Sequence, residues 1–303
     1  MIQFKQDIAS SAEKKPLSLA QRRKRDNRRR SLVRVGIQIV FFLFAPSLFT
    51  SAFTGLKQAF TAIGGGAPLE FSGFACVFVM LCLFTVVFGR FFCGFACSFG
   101  ALGDFVYFLR TKVEKKTKKK LPRLPKKLAG GLACLPFLIL TAVVVLCAVG
   151  IYGSLSGWSP WDVFSMLTTL NLRLGRYLVG VGLLAGIVVG MALEPRFFCR
   201  FFCPLGAVFR LLPMLPWSVL KRDTDACIKG CSACTASCPV SHRLGTEENA
   251  GNCIRCDKCI GVCPKQNIKT VGRKQPAVAL LLTVGKAAIL FLLAFLLHAV
   301  RFF

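Results

Sequence analysis

Long apolar stretches alternate with strongly polar ones along the chain. Five stretches are apolar almost throughout: 33–53, 71–92, 128–152, 177–193 and 277–300. Each comes near the ~20 residues that carry a helix across about 30 Å of hydrocarbon at 1.5 Å per residue, the fourth being the shortest. The pattern predicts an α-helical integral membrane protein with about five transmembrane helices. It divides the chain into a basic segment 1–32, a first helical hairpin 33–110, a basic loop 111–127, a second hairpin 128–213, a polar cysteine-rich module 214–275 and a last helix 276–303. A polar, basic stretch precedes the first apolar one and no small-residue cleavage site stands out, so no cleavable secretory signal is expected.

Composition and charge sharpen this picture. Hydrophobic residues make up 54% of the 303, above the share of an ordinary soluble domain. The formal charge of +27 is concentrated in two places. Residues 1–30 include Arg22, Arg23, Lys24, Arg25, Arg28, Arg29 and Arg30, and the loop 111–127 carries Lys118, Lys119 and Lys120. Such runs can bind nucleic acid. Here they flank apolar segments, so they read as the cytoplasmic side of a membrane and as contacts to anionic lipid. No nucleic-acid partner is expected. The loops 54–70 and 153–176, with Lys57, Arg173 and Arg176 as their basic residues, fall outside. This gives a multi-pass protein of the cytoplasmic membrane. Its N-terminus and cysteine-rich module face the cytoplasm, and its C-terminus lies outside.

A cytoplasmic location makes the sixteen cysteines metal ligands or buried small residues rather than disulfides. Two apolar segments end in matching blocks, RFFCGFACSFGAL at 90–102 and RFFCRFFCPLGAV at 196–208. Eight of the thirteen positions are identical at an offset of 106. Such duplication predicts two related hairpins about a pseudo-two-fold axis along the membrane normal. Cys93/Cys97 and Cys199/Cys203 sit at i and i+4, which on a helix places both sulfurs on one face. Together they supply four thiolates, the number one iron–sulfur cluster needs. Three readings stay open for them: a third cluster, a redox dithiol or a copper or zinc site, and local structure alone. Cys76, Cys82, Cys134 and Cys147 lie within apolar stretches and read as packing residues.

The densest chemistry lies between residues 227 and 263. Cys253, Cys256, Cys259 and Cys263, followed by Pro264, are spaced C-x2-C-x2-C-x3-C-P, and Cys227, Cys231, Cys234 and Cys238, followed by Pro239, differ by one extra residue. This resembles the ligand set of a two-cluster bacterial ferredoxin, in which the fourth cysteine of each run serves the other cluster. The resemblance implies two 4Fe–4S clusters. One takes Cys227, Cys231, Cys234 and Cys263, and the other takes Cys253, Cys256, Cys259 and Cys238. The host is a small α+β module too poor in apolar surface to fold without them. Zinc ribbons use two separated C-x2-C pairs instead. Basic residues such as Lys221, Arg222, Lys229, Arg255 and Lys258 surround the module and suit an acidic redox partner.

Other features narrow the function. With only His242 and His298, no bis-histidine haem site is available. No C-x-x-C-H, Walker A or G-x-G-x-x-G pattern occurs. Lys286 falls inside the last apolar stretch, and an intramembrane charge is a candidate functional group. The stretch 157–162, with Trp158 and Trp161, reads as an interfacial anchor or part of a partner or quinol pocket.

Two C-x3-C repeats after membrane hairpins, followed by a two-cluster module, resemble the NapH/NosR/CcoG class of membrane polyferredoxins. The resemblance spans residues 33–265. It is sharpest at Cys199–Pro204 and Cys227–Pro264. The chain departs from the class at Ser98, where a proline is usual, and in its fifth apolar stretch. NapH-like proteins imply electron flow from quinol to an external reductase. NosR-like ones add a flavin domain, which this sequence lacks, and CcoG-like ones imply copper handling. The expected function is an electron-transfer subunit of an oxidoreductase, quinol dehydrogenase-like. It would relay electrons between quinol or a cytoplasmic reductant and a membrane or external redox partner. Metal or thiol reduction in maturation of a redox enzyme, and redox sensing, remain as alternatives.

Overall fold

The computed structural model describes residues 19–68, 72–119, 121–122, 124–125, 130–168, 174–242, 244, 251–270 and 276–297. Residues 1–18 of the basic segment, Arg173 and His298 lie outside that set. Helix α1 (Leu19–Phe44) joins a basic first half to an apolar second half. It stops before Pro46, whose ring and missing N–H prevent helix continuation. Helix α2 (Leu48–Gly64) then leaves at a 62° bend. The stretch 33–53 is therefore broken rather than one straight span. Helix α3 (Gly73–Phe88) follows, capped by Ser72, whose side chain accepts from the Ala75 N–H. Next come a π-helical turn at Phe92–Ala96 and α4 (Ser98–Thr117).

The second copy repeats this plan. Helices α5 (Leu135–Ala148), α6 (Pro160–Thr168) and α7 (Leu178–Leu193) lead to a second π-helical turn at Phe198–Phe202 and to α8 (Pro204–Leu211). Helices α3 and α7 end after 16 residues. The residues that follow are spent on the cysteine turns, reached through Gly89 at φ 70° in one copy and an extended Glu194 in the other. The copies pack on each other through α4 on α7 and α2 on α5. Between them lies an aromatic core. Phe99 stacks on Phe198 at 4.2 Å and lies 3.9 Å from Phe164, and Phe49 meets both Phe99 and Phe198 edge-on.

A thin module follows. It contains β1 (Leu220–Arg222), α9 (Ala233–Ala236), α10 (Lys258–Val262) and β2 (Ile268–Thr270). The strands pair antiparallel, Leu220 opposite Thr270 and Arg222 opposite Ile268. The last helix is α11 (Pro276–Leu296). Among the described residues, Val278–Leu296 is the one helix long and apolar enough to cross a bilayer. The bent pair α1–α2 passes the same test together, and α3, residues 132–148 and α7 are apolar but shorter. Lys286 is turned inward, its Nζ 5.3 Å from the Phe88 ring and 6.0 Å from Phe91, within reach of a cation–π contact. The 157–162 stretch splits in role: Trp158 is exposed, whereas Trp161 is buried 5.2 Å from Phe53.

Candidate iron–sulfur centres

The two C-x3-C pairs meet inside the molecule. Cys93, Cys97, Cys199 and Cys203 are each 4–5% exposed. The pairs do not ride on a regular α-helix face. Cys93 and Cys199 lie in the π-helical turns, and Cys97 and Cys203 close those turns in extended conformation, at φ −69° and −82°. Each closing residue caps the next helix. The Gly206 N–H donates to Cys203 Sγ at 3.1 Å, whereas Cys97 starts its helix through backbone conformation without a side-chain hydrogen bond. Ser98 stands where the second copy has Pro204, yet both occupy the first helical position, where the backbone N–H is unused in either case. Ser98 adds a hydrogen bond from its Oγ to the Pro46 carbonyl, 2.9 Å.

Electrostatics place the four thiols within reach of one another. Burial pushes the Cys97 thiol up, and neighbouring Cys199 and Cys93 push it further. Burial, followed by Cys199, Cys93 and Cys97, does the same to Cys203. Two buried arginines stand beside them: Arg90 Nη2 is 3.9 Å from Cys93 Sγ and Arg196 Nη1 is 4.0 Å from Cys199 Sγ. Arg196 also donates to the Cys93 and Gly94 carbonyls and grips Asp104 with two bonds, of 3.1 and 2.6 Å. Arg34 and Gln38 complete the Asp104 shell at 2.9 and 2.8 Å. Burial alone would raise the Asp104 pKa. Arg196, Arg34 and Lys258 outweigh it and hold the carboxyl well below the usual range.

The module brings Cys238, Cys253, Cys256 and Cys259 around one small cavity, with Cys234 and His242 also on its wall. Burial and then Cys256 raise the Cys253 thiol to about 12, against a lowering by the Arg255 N–H. Cys259 is raised by burial and then by Cys256, Cys253, Asp257 and Cys238. The remaining four cysteines are Cys227, Cys231, Cys234 and Cys263. Cys234 and Cys263 share an apolar cluster with Leu220 and Ile268. Asn267 Nδ2 donates to Cys227 Sγ at 3.4 Å, and Arg222 Nη1 donates to Cys234 Sγ at 3.5 Å. Cys231 is half-buried, its N–H donating to the Ile228 carbonyl at 3.0 Å.

The inner thiols and the module touch directly. Gly94, between Cys93 and Cys97, lies against the Ile254 carbonyl, with the Cys256 amide nitrogen 3.3 Å from where a Cβ would stand. Any side chain there would hold the two apart. Arg90 Nη1 donates to the Gly251 carbonyl at 3.0 Å. The strap leading into the module is tied to the end of α3: Leu215 N–H and Trp217 Nε1 reach the Val86 and Val87 carbonyls. These satisfy carbonyls that a helix end leaves orphaned.

The donor sets fit iron–sulfur clusters. Four thiolates around one ion would stand about 3.8 Å apart for a metal–sulfur bond of 2.3 Å. Among the described residues, no group of three or more His, Cys, Asp or Glu is drawn in far enough to hold a single metal ion. A four-iron group takes one thiolate per iron and so suits wider spacing. The thiol sites also carry most of the buried polar atoms that lack a partner among the described residues: Arg90 Nε, Arg210 Nε, Arg222 Nε, Arg255 Nη1, Asp257 Oδ1 and Asn267 Oδ1. The four arginine nitrogens among them are donors and suit an anionic, acceptor-rich group.

Sequence reasoning passed over Arg90, Arg196, Asp104 and Gly94 as site residues. Arg90 and Arg196 had a signal, since both open the repeated block. Asp104 and Gly94 had none, because their partners are 92 and about 160 residues away.

The comparisons agree with this geometry. A family described as a 4Fe-4S binding domain matches residues 70–116 and 177–222, the two stretches that carry the C-x3-C pairs. Two uncharacterized proteins of Methanocaldococcus jannaschii are similar. One is 30% identical over 227 residues, covering 75% of this chain and 88% of that protein. The other is 32% identical over 177 residues, covering 58% and 62%. The Ferredoxin-type protein NapH of Haemophilus influenzae is 23% identical over 206 residues, covering 63% and 65%. The chain also matches the Regulatory protein NosR of Stutzerimonas stutzeri, spanning 27% of its length. No solved structure matches the chain.

Proposed function

The chain belongs to the NapH/NosR-like class of ferredoxin-type proteins, and from that premise we propose that it is a membrane-bound electron carrier with three iron–sulfur sites in line. The outer site is Cys227, Cys231, Cys234 and Cys263. The middle one is Cys253, Cys256, Cys259 and Cys238. The inner one is Cys93, Cys97, Cys199 and Cys203. The clusters, when bound, supply one-electron steps. The chain holds them in sequence and keeps water from the inner one.

The observation that carries this reading is the contact of Gly94 with the Ile254–Cys256 backbone. It sets the backbone of the Cys93–Cys97 turn directly against the backbone of the Ile254–Cys256 segment. Four buried thiols with an arginine beside each of two of them support a cluster as the occupant of the inner site.

Quinol is the proposed partner at the inner end. A cleft of about 810 Å³ opens between α1 and α4, within the range of small-molecule sites. Phe42, Phe105 and Phe108 give it apolar walls, and Arg34, Gln38, Asp104 and Lys258 form its polar end. Asp104 links that end through Arg196 to Cys199 Sγ. The polar groups suit a quinone head and the apolar walls its tail.

The reading includes a multi-pass membrane protein with its N-terminus and module in the cytoplasm and its C-terminus outside. Apolar side chains that face outward on the helices, such as Leu138, Val189 and Leu281, are 60–78% exposed and need a cover. The basic half of α1 packs on α10, which puts the basic segment and the module on one side. In an anaerobic test, reduced protein is mixed with a short-chain quinone while cluster absorbance is followed. Wild type is expected to reoxidise at least a hundredfold faster than the Cys199→Ser/Cys203→Ser variant. Equal rates would sink the inner relay.

A further inference from the structure

The two copies of the repeat are alike in backbone and opposite in charge at one matched position. At the offset of 106, Arg90 corresponds to Arg196, Gly100 to Gly206 and Asp104 to Arg210. The copies cross in space. Arg196 of the second lies against Gly100 of the first, and Arg90 of the first against Gly206 of the second, its Nη2 3.2 Å from where a Cβ would stand. Each arginine approaches the sulfur three residues ahead of it, at 3.9 and 4.0 Å. Here the likeness ends. Arg196 meets a carboxylate, Asp104, in a buried ion pair of 2.6 Å. The matching position on the Arg90 side holds Arg210, another cation, whose Nη2 donates to the Arg200 carbonyl at 3.1 Å.

Geometry and electrostatics both place Arg210 there. Gly206 and Arg210 share one face of α8 at i and i+4. Arg90 donates to the Gly251 carbonyl, and the Arg210 carbonyl lies 2.6 Å from where a Cβ on Gly251 would stand. Burial lowers the Arg210 pKa and Arg90 lowers it further. Both Nε atoms are buried without a partner, and among the described residues no carboxylate pairs with either arginine. Arg90 is buried and Arg210 half-buried, and two like charges held near each other with little water between them are costly. The arrangement is favourable when a negative group faces them.

We propose that the Arg90–Arg210 half is built around the negative charge of the group held by Cys93, Cys97, Cys199 and Cys203 and raises its reduction potential, while the Arg196–Asp104 half is neutral and fixes geometry. Arg90 and Arg210 are thus positioning residues for charge, and this rests on the cluster reading of the four cysteines. Adding an electron to an anionic cluster is favoured by a fixed positive neighbour, since potential follows net charge and hydrogen bonds to sulfur. Burial keeps salt from screening the effect.

The test is an anaerobic redox titration of the full, iron-loaded chain, followed by low-temperature electron paramagnetic resonance, with iron counted in each sample. Arg210→Asp would copy the Asp104 arrangement into the second half. It should change the reduced-to-oxidised ratio of one centre at least tenfold toward oxidised, about 59 mV for one electron. Asp104→Asn should move the same centre the opposite way, and Arg90→Lys should leave it near wild type. Unmoved potentials with full iron overturn the proposal, as do shifts of one sign in both Arg210→Asp and Asp104→Asn. If Arg210→Asp loses iron, Asp104→Asn decides: a raised potential supports the proposal and an unchanged one overturns it. About eight irons per wild-type chain, instead of about twelve, would instead remove the cluster reading beneath it.

Discussion

The inner cysteines and the module cysteines reach similar chemistry by opposite routes. The inner four come from segments over 100 residues apart, joined by helix packing, an aromatic core and the Arg196–Asp104 pair. The module's eight lie within 37 residues, with Cys234 and Cys259 on helices of four and five residues, the other six in loops and a three-residue strand on either side. On the proposed reading, metal is a guest at the first site, which helix packing assembles, and the core of the second, which has too little regular structure to fold without its ligands.

Stripping iron should give the largest effect and separate the two. Proteolysis between residues 220 and 270 is expected to speed at least tenfold after chelation, while far-ultraviolet circular dichroism keeps most of its helical signal. A module that stays protected would remove the distinction. Next in size, Cys199→Ser/Cys203→Ser should lose about four of about twelve irons and leave the module spectrum intact. Loss of all iron would mean that the sites assemble as one. Third, Arg196→Leu leaves Asp104 buried with part of its cation shell gone. It should cost about 3–5 kcal/mol, read as a lower thermal midpoint, whereas Arg222→Leu at the outer site should cost far less.

Smaller changes probe the join between the regions. Gly94→Ala pushes a methyl group into the Ile254 carbonyl and should cost about 1–3 kcal/mol. The sharper readout is slower electron passage from module to inner site; unchanged passage would show that the contact is not the junction. Smallest of all, Ser98→Pro makes the first copy resemble the second. Proline suits the first helical turn, and one hydrogen bond is lost, so stability should shift by about 1 kcal/mol or less. A collapse would mean that the two turns are not equivalent.

Local spacing made the module legible, because ligand order there is written in consecutive residues. The repeat was legible as two copies for the same reason, and the family match to residues 70–116 and 177–222 falls on both. What each copy meets was not legible. The block 90–102 says nothing of residue 254, and the offset pairs Asp104 with Arg210 without showing that each faces the other copy's arginine. Hydropathy marked apolar stretches but not the break at Pro46 or the early ends of α3 and α7, where packing and turn geometry override composition. The i, i+4 spacing suggested a helix face, and the π-helical turns replaced it because Cys97 and Cys203 leave the helix to cap the next one.

The most direct test of the account is the number of irons in the full chain purified without oxygen. Three sites predict about twelve irons per chain, falling to about eight when Cys199 and Cys203 are both changed to Ser. About eight irons in the wild type, unchanged in the variant, would contradict it and leave the repeated cysteines without a cluster.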